Sequence, residues 1–352
     1  MMFSHVVWKR FAHAWRLLWL AALLAGASVG PVRAAESVAL EQALMQPYAA
    51  PEIEGISNWI NSAPLRLADW RGKVVLVDFW TYSCINCLRT LPYITGWYEK
   101  YHAQGLEIIG IHAPEFAFEK KLENVQKAVK RHNIRHPVAL DNAMATWKNF
   151  ANQYWPAHYL IDRQGRVVYT HFGEGHYDVT ENNIRALLGE TEKVAASGAP
   201  QTFAASQTPE TYLGYRRAAR RVDNSPVKTD AVGTYTFPDT LPLHHWALSG
   251  GWHVDGEAGR AATPGAALRL HFSGRKVFLV LGSATGKTVT ARVLLNGKPV
   301  ANAEGVDVRD GVLSVDQEKL YTLLDQGTAQ EGVLEIQADA PGLQAYAFTF
   351  GL

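Results

Sequence analysis

The sequence predicts a layered α/β domain followed by an all-β sandwich, and three observations carry this. Between residues 59 and 188, short apolar or β-branched runs alternate with stretches of helical period. The stretch 192–209 is rich in Ala, Ser, Thr and Gln without an apolar period, as expected of a linker. From about residue 231, short alternating strands and hairpin turns replace the helices. The 352 residues, 47% hydrophobic and 19% charged, suffice for two cores.

The elements follow in order. After an extended lead over 36–57, Trp59–Leu67 reads as a short strand and turn. Lys73-Val-Val-Leu-Val-Asp-Phe-Trp80 is a near-continuous apolar run, the pattern of a strand buried on both faces. From about Ile85 to His102, Leu88, Leu91, Ile94 and Trp97 keep helical spacing, and Gly105 closes the segment. Leu106–Ile111 is a second buried strand. Residues 117–132 read as an amphipathic, charged helix, Pro137–Leu140 as a short strand and 143–154 as another helix. Tyr159–Ile161 and Val167–Tyr169 flank Asp162-Arg-Gln-Gly165, a hairpin turn. Thr180 is the expected N-cap of a last helix ending near Leu188, with Glu181 in its first turn. In the rear region, Leu268–Phe272, Val277–Leu281, Val289–Leu295 and Tyr346–Phe350 alternate as strands, with Asn296-Gly297 and Asp310-Gly311 as turns.

The N-terminus reads as an export signal. Lys9, Arg10 and Arg16 precede an apolar run from Leu17 to about Ser28, and Val32-Arg33-Ala34 offers compact residues at a cleavage site. An uncleaved signal anchor is the alternative. Residues 1–34 hold four basic side chains and no acid, so the remainder is weakly acidic, and the net charge of +1 excludes a nucleic-acid footprint.

The chain has two cysteines, Cys84 and Cys87, at a strand-to-helix junction. A bridge closing so small a loop constrains the unfolded chain little, so chemistry is the better reason for the pair. The first thiol sits where a helix N-terminus stabilises a thiolate, and the second lies one turn further in. Cys84 is therefore the expected nucleophile and Cys87 the resolving thiol. Zinc would require further Cys or His ligands at suitable spacing, and no second pair exists. Covalent haem would require His after Cys87, where Leu88 stands. No metal and no cofactor beyond a redox-active Cys84–Cys87 disulfide is expected.

The segment Val77-Asp-Phe-Trp-Thr-Tyr-Ser-Cys-Ile-Asn-Cys-Leu-Arg-Thr-Leu-Pro92 resembles the active site of thioredoxins, most closely the extracytoplasmic TlpA-like group. From about residue 55 onward the chain resembles the exported C-terminal portion of DipZ-type proteins. There a thioredoxin-like domain precedes a carbohydrate-binding-module-like sandwich of the jelly-roll, galactose-binding kind. The resemblance implies a signal peptide over 1–34, an extension over 35–54, a thioredoxin-like domain over 55–191, a linker over 192–228 and a sandwich over 229–352. It implies that Asp78 exchanges the proton of the resolving thiol and that Pro156 is a cis-proline facing the cysteines. The backbone of Trp155 would pair with substrate, and Trp80 would join Trp155 in the substrate groove. Pro92 matches a helix-kinking proline. Residues 113–157 resemble the TlpA-like insertion, where Glu115 reads as a solvated loop residue.

The implied activity is thiol–disulfide exchange with exported proteins bearing thiols or disulfides. The uncharged Ile85-Asn86 pair favours a reductant, fed by a membrane donor of the CcdA or DsbD type. Two alternatives stand beside it. Thr81-Tyr-Ser-Cys84 also fits the TxxC of peroxiredoxins, although Val77 stands where those place proline. The sandwich would otherwise act as a glycan- or protein-binding module. Trp246, Trp252, Tyr321 and Tyr346 read as core, and His136, His158, His171 and His176, which flank strands, read as packing or surface residues.

Overall fold

The burial of β3 (Val74–Trp80) organises the first half of the molecule. In the computed structural model, which describes residues 39–195, 207–222, 225–301 and 307–351, every residue of this strand is buried. The expected signal segment and most of the stretch 192–209 lie outside the described residues. Branched side chains on both faces place β3 at the centre of a seven-stranded sheet. The other strands are β1 (Tyr48–Ala49), β2 (Asn58–Ile60), β4 (Leu106–His112), β5 (Val138–Leu140), β6 (Ala157–Ile161) and β7 (Arg166–Phe172), in the order β1-β7-β6-β3-β4-β5-β2. β3, β4 and β5 run parallel, while β6 and β7 are antiparallel. This is the thioredoxin-like arrangement. Helix α1 (Ile85–Tyr101) starts from the carboxyl end of β3, with Pro92 inside it.

Three helical expectations need correction. The span 117–132 is broken into a 3-10 turn at Ala117–Lys120 and helix α2 (Leu122–Arg131), because Phe118 and Glu119 turn inward. The span 143–154 contracts to α3 (Ala145–Asn149), where the Asp141 carboxylate accepts from the Ala145 and Trp147 N–H groups at 2.7 Å each. Helix α4 (Tyr177–Leu188) is capped by His176, not Thr180. Thr180 lies within the first turn, its hydroxyl donating to the His176 carbonyl at 3.3 Å, while Tyr177 stacks on Tyr93 of α1 at 3.6 Å.

The rear region is all β, eleven strands in one continuous sheet among the described residues. Leu268–Phe272 and Val277–Leu281 are two halves of one strand, Ala267–Ser283. The polar Ser273-Gly-Arg-Lys276 step between them is a bulge rather than a turn, because Lys319–Ala338 pairs with both halves. The sheet also begins earlier than the pattern suggested. Thr211–Tyr212 pairs with Leu343–Gly351, and Leu213 lies in the core, so this part of the expected linker belongs to the sheet. Trp246, Trp252, Tyr321 and Tyr346 are buried, as their core reading requires. No helix among the described residues is long and apolar enough to cross a membrane.

The two sheets belong to one compact unit. Tyr82, Phe116 and Phe118 pack with Val280, Tyr346 and Ala347 of the rear sheet, and Phe118 meets Tyr346 edge-on at 4.7 Å. Lys121 pairs with Glu318 at 2.7 Å across the same boundary, but its side chain is 51% exposed. Such a pair contributes at most about 1 kcal/mol. Burying one phenylalanine contributes about 1.5–3 kcal/mol, so the aromatic cluster dominates the joint. Phe118→Ala should therefore cost about 3–5 kcal/mol. Hydrogen exchange should speed up together in β3 and in Leu343–Gly351; faster exchange confined to one sheet would show that they unfold independently.

Candidate active site

Cys84 lies beyond a three-residue turn, Thr81–Ser83, at the end of β3 and is the N-cap of α1, with extended backbone at φ −84° and ψ 119°. Its sulfur accepts from the Cys87 N–H at 3.4 Å, and its carbonyl receives the first helical bond from Leu88 at 3.0 Å. A thiolate there faces unpaired helical N–H groups and the positive end of the helix dipole. Both thiols are free, Cys84 partly exposed and Cys87 buried. Burial pushes the Cys87 thiol well above the usual range, and the nearby Cys84 sulfur and Asp78 charge add to this. The arrangement is thus one accessible thiol and one protonated reserve thiol a turn behind it.

Asp78 is 1% exposed in β3, and His158 of β6 lies opposite, its Nε2 3.3 Å from Asp78 Oδ1. The Trp155–Pro156 bond is cis. Trp155 packs against the cluster that also receives Cys84, and its indole N–H donates to the Ala113 carbonyl at 3.0 Å. Trp80 is placed differently from expectation. It is 1% exposed, edge-on to His112 at 5.2 Å, and therefore supports the site from below instead of lining a groove. It points inward because it shares the alternation of Leu76 and Asp78 along a strand with no open face.

Cys84, Ile85 and Asn86 form one wall of a cleft of about 350 Å³. The facing wall comes from Thr208–Glu210 and from Thr349 and Phe350 of the rear sheet. Arg89, two residues past Cys87, pairs with Glu174 at 3.1 Å, and its guanidinium lies 5.7 Å from the Phe278 ring centroid. The helix carrying the thiols is thus held from both sheets.

Two carboxylates of the insertion behave unlike their sequence reading. Glu115 is not a solvated loop residue: it accepts from the Tyr212 hydroxyl and from Arg217, each at 2.6 Å. Glu119 is wholly buried and accepts from the Ser83 hydroxyl at 2.6 Å and from the Glu115 and Phe116 N–H groups at 2.6 and 3.0 Å. The sequence pattern makes it one charge of an amphipathic helix, although the flanking Phe116 and Phe118 are a signal that this turn points inward. Burial pushes its carboxyl up to about 7, the charge of Glu115 adding to this. A carboxyl whose folded pKa lies above its ordinary 4.5 makes the folded state bind more protons between pH 4.5 and 7. Stability should fall by about 3 kcal/mol as pH rises through that window, and Glu119→Gln should remove this slope. Denaturant titrations at pH 5 and pH 8 check it, and an unchanged slope in the variant would assign the dependence elsewhere.

Comparison with known proteins is consistent with this geometry. Residues 50–188 match the redoxin family model, and residues 208–351 match the model described as thioredoxin like C-terminal domain. Over 313 residues the chain is 37% identical to Protein DipZ of Mycobacterium tuberculosis, spanning 86% of this chain and 43% of that protein. The chain thus covers less than half the length of this relative. Over 123 residues it is 30% identical to thiol-disulfide oxidoreductase ResA of Bacillus thuringiensis, spanning 35% of this chain and 68% of ResA. Thiol-disulfide oxidoreductase YkuV of Bacillus subtilis is 28% identical over 149 residues, 42% of this chain and 99% of YkuV. Among solved structures, a thiol-disulfide isomerase from Corynebacterium glutamicum aligns with 40% of this chain and 98% of its own, at 26% identity and a TM-score of 0.36.

Proposed function

This chain belongs to the thioredoxin-like thiol–disulfide oxidoreductases of the redoxin family, and on that footing we propose that Cys84 and Cys87 exchange disulfides with proteins outside the cytoplasm. The observation that carries the reading is the N-cap position of Cys84, with its sulfur facing the Cys87 N–H. In the reducing direction the Cys84 thiolate attacks a substrate disulfide, forming a mixed disulfide and releasing the first substrate thiolate. Asp78 takes the proton of Cys87. The Cys87 thiolate then attacks the Cys84 sulfur, closing the Cys84–Cys87 disulfide and releasing the second substrate thiolate. Two electrons pass from the pair to the substrate, and no other cofactor is required.

Trp155 and Pro156 present the backbone against which an extended substrate pairs, and the cleft beside Ile85 and Asn86 receives its flanking residues. Because Ile85 and Asn86 carry no cation to stabilise the thiolate strongly, the pair works as a reductant. The signal-like N-terminus and the DipZ resemblance support export and recharging by a membrane donor of the CcdA or DsbD type.

Cys84→Ser should abolish disulfide reduction, and Cys87→Ser should accumulate mixed disulfides visible by non-reducing electrophoresis. Alkylation of the reduced protein should label Cys84 first; labelling of Cys87 first would reverse the assignment. The reduction potential should lie nearer thioredoxin's roughly −270 mV than a strong oxidant's roughly −120 mV. A value above about −150 mV would make the protein an oxidant.

A further inference from the structure

Resolution requires Cys87 to lose a proton, yet both Cys87 and Asp78 are 1% exposed. Asp78 therefore needs a route by which to return its proton to solvent. Cross-strand pairing places Asp78 of β3 opposite His158 of β6, and His158 opposite His171 of β7. Side chains opposite one another in a sheet share a face, so the three form one row across adjacent strands. Asp78 Oδ1 lies 3.3 Å from His158 Nε2, and the His158 and His171 rings stack at 5.9 Å between centroids. His171 then meets His176 at 5.5 Å, where the chain turns into α4 and the ring is exposed. His158 is wholly buried, with neither ring nitrogen hydrogen-bonded, and His171 Nε2 is likewise buried and unpartnered.

Buried imidazole nitrogens that lack a hydrogen bond, as His158 Nδ1 and His171 Nε2 do, carry a cost that packing alone would remove by using an apolar residue. A neutral imidazole accepts a proton at one nitrogen and donates from the other, so a row of them passes a proton without holding it. Burial holds His171 down to about 4, with the His158 and His176 charges adding to this and backbone hydrogen bonds at Glu174 and Gly175 offsetting it in part, so the ring rests neutral. On the other side of Asp78, a route through His136 meets the Tyr98 phenol, whose pKa burial raises, before it reaches half-exposed His102. Gly110 of β4 has no side chain, and a Cβ there would lie 2.8 Å from Trp80 Nε1 and 3.3 Å from His136 Nε2. His136 is itself wholly buried, with the Tyr98 ring at 5.8 Å.

We propose that His158, His171 and His176 form a proton relay that connects Asp78 to solvent and sets the rate at which Cys87 resolves the mixed disulfide. The proposal rests on the exchange reading above. The proton leaves Cys87 Sγ for the Asp78 carboxylate, moves to His158 Nε2, crosses to His171 through a bridging water, and exits at His176. No electrons travel this way; they stay with the sulfur bonds. His158 and His171 act through Asp78 and are positioning residues for its proton.

Stopped-flow reaction of the reduced full chain with an aromatic disulfide such as Ellman's reagent separates the steps, because each releases one coloured thiolate. His158→Phe and His171→Ala should leave the first release within twofold of the unaltered protein. They should slow the second at least tenfold, within the range of general acid–base effects. Imidazole added to His171→Ala should restore the second phase, and its solvent deuterium isotope effect should rise. In an Asp78→Asn background, His171→Ala should cause no further slowing. A second phase unchanged in both variants overturns the relay. So does a slowed second phase in His171→Ala that imidazole leaves slow, since that would mark a packing role. Absence of the first phase in the unaltered protein would instead sink the exchange reading itself.

Discussion

Cys87 is buried in an apolar cluster built by both sheets, and the chemistry of the site depends on that fact. It shares that cluster with Trp80, Tyr82, Leu91 and Phe118 of the front domain and with Val280, Tyr346 and Ala347. Removing water from a sulfur penalises its thiolate, which is why this thiol stays protonated, while Cys84, one turn away at the helix end, is partly exposed. The difference between the two cysteines is therefore one of solvent, imposed by a single helical turn. Each pKa unit corresponds to about 1.4 kcal/mol, so a base within reach of Cys87 decides whether it resolves at a useful rate. Asp78, buried in the strand beneath, is the carboxylate whose charge reaches it. Because Val280, Tyr346 and Ala347 belong to the rear sheet, that sheet takes part in excluding water from the redox pair.

Much of the front domain was legible because its strands are buried on both faces. An uninterrupted apolar run such as Val74–Phe79 has few alternatives, and a CxxC after it fixes the start of a helix. The rear domain was less legible. Its longest strand crosses a polar, glycine-containing step at Ser273–Lys276, and a local pattern cannot separate a bulge from a turn when the decision rests with a partner some fifty residues away. Thr208–Leu213 followed a low-complexity stretch with little period of its own, so its place against Leu343–Gly351 and Ser273 was set by tertiary pairing alone.

The site divides in the same way. The positions of Cys84 and Cys87 followed from local rules of helix termini, and the cis bond before Pro156 followed from the family resemblance. Trp80 had its groove place from the family resemblance alone, whereas strand alternation sends it inward with Asp78. Glu115 and Glu119 were misread for a different reason. Their partners, Tyr212, Arg217 and Ser83, are brought in by the fold, and only the phenylalanines around Glu119 hinted at burial. The histidines had no visible pattern at all, since the spacing of His158 and His171 becomes a contact only when the hairpin register is known.

Arg89 ties the rear sheet to this site. It stands on α1 two residues beyond Cys87, pairs with Glu174 ahead of α4, and lies beside Phe278 of the rear sheet. Its side chain is 22% exposed and that of Glu174 11%, so the pair is partly desolvated and less screened than the surface pairs elsewhere. A helix held at this point from two directions cannot tilt its N-terminus without breaking one contact or the other. The thiolate at Cys84 depends on the alignment of that N-terminus, since the dipole effect falls off within the first turn. The same rear strands that supply Phe278 and Phe350 also wall the cleft beside Ile85 and Asn86. Fixing the nucleophile and shaping its approach are thus one structural task, performed by a sheet that contributes no reacting atom.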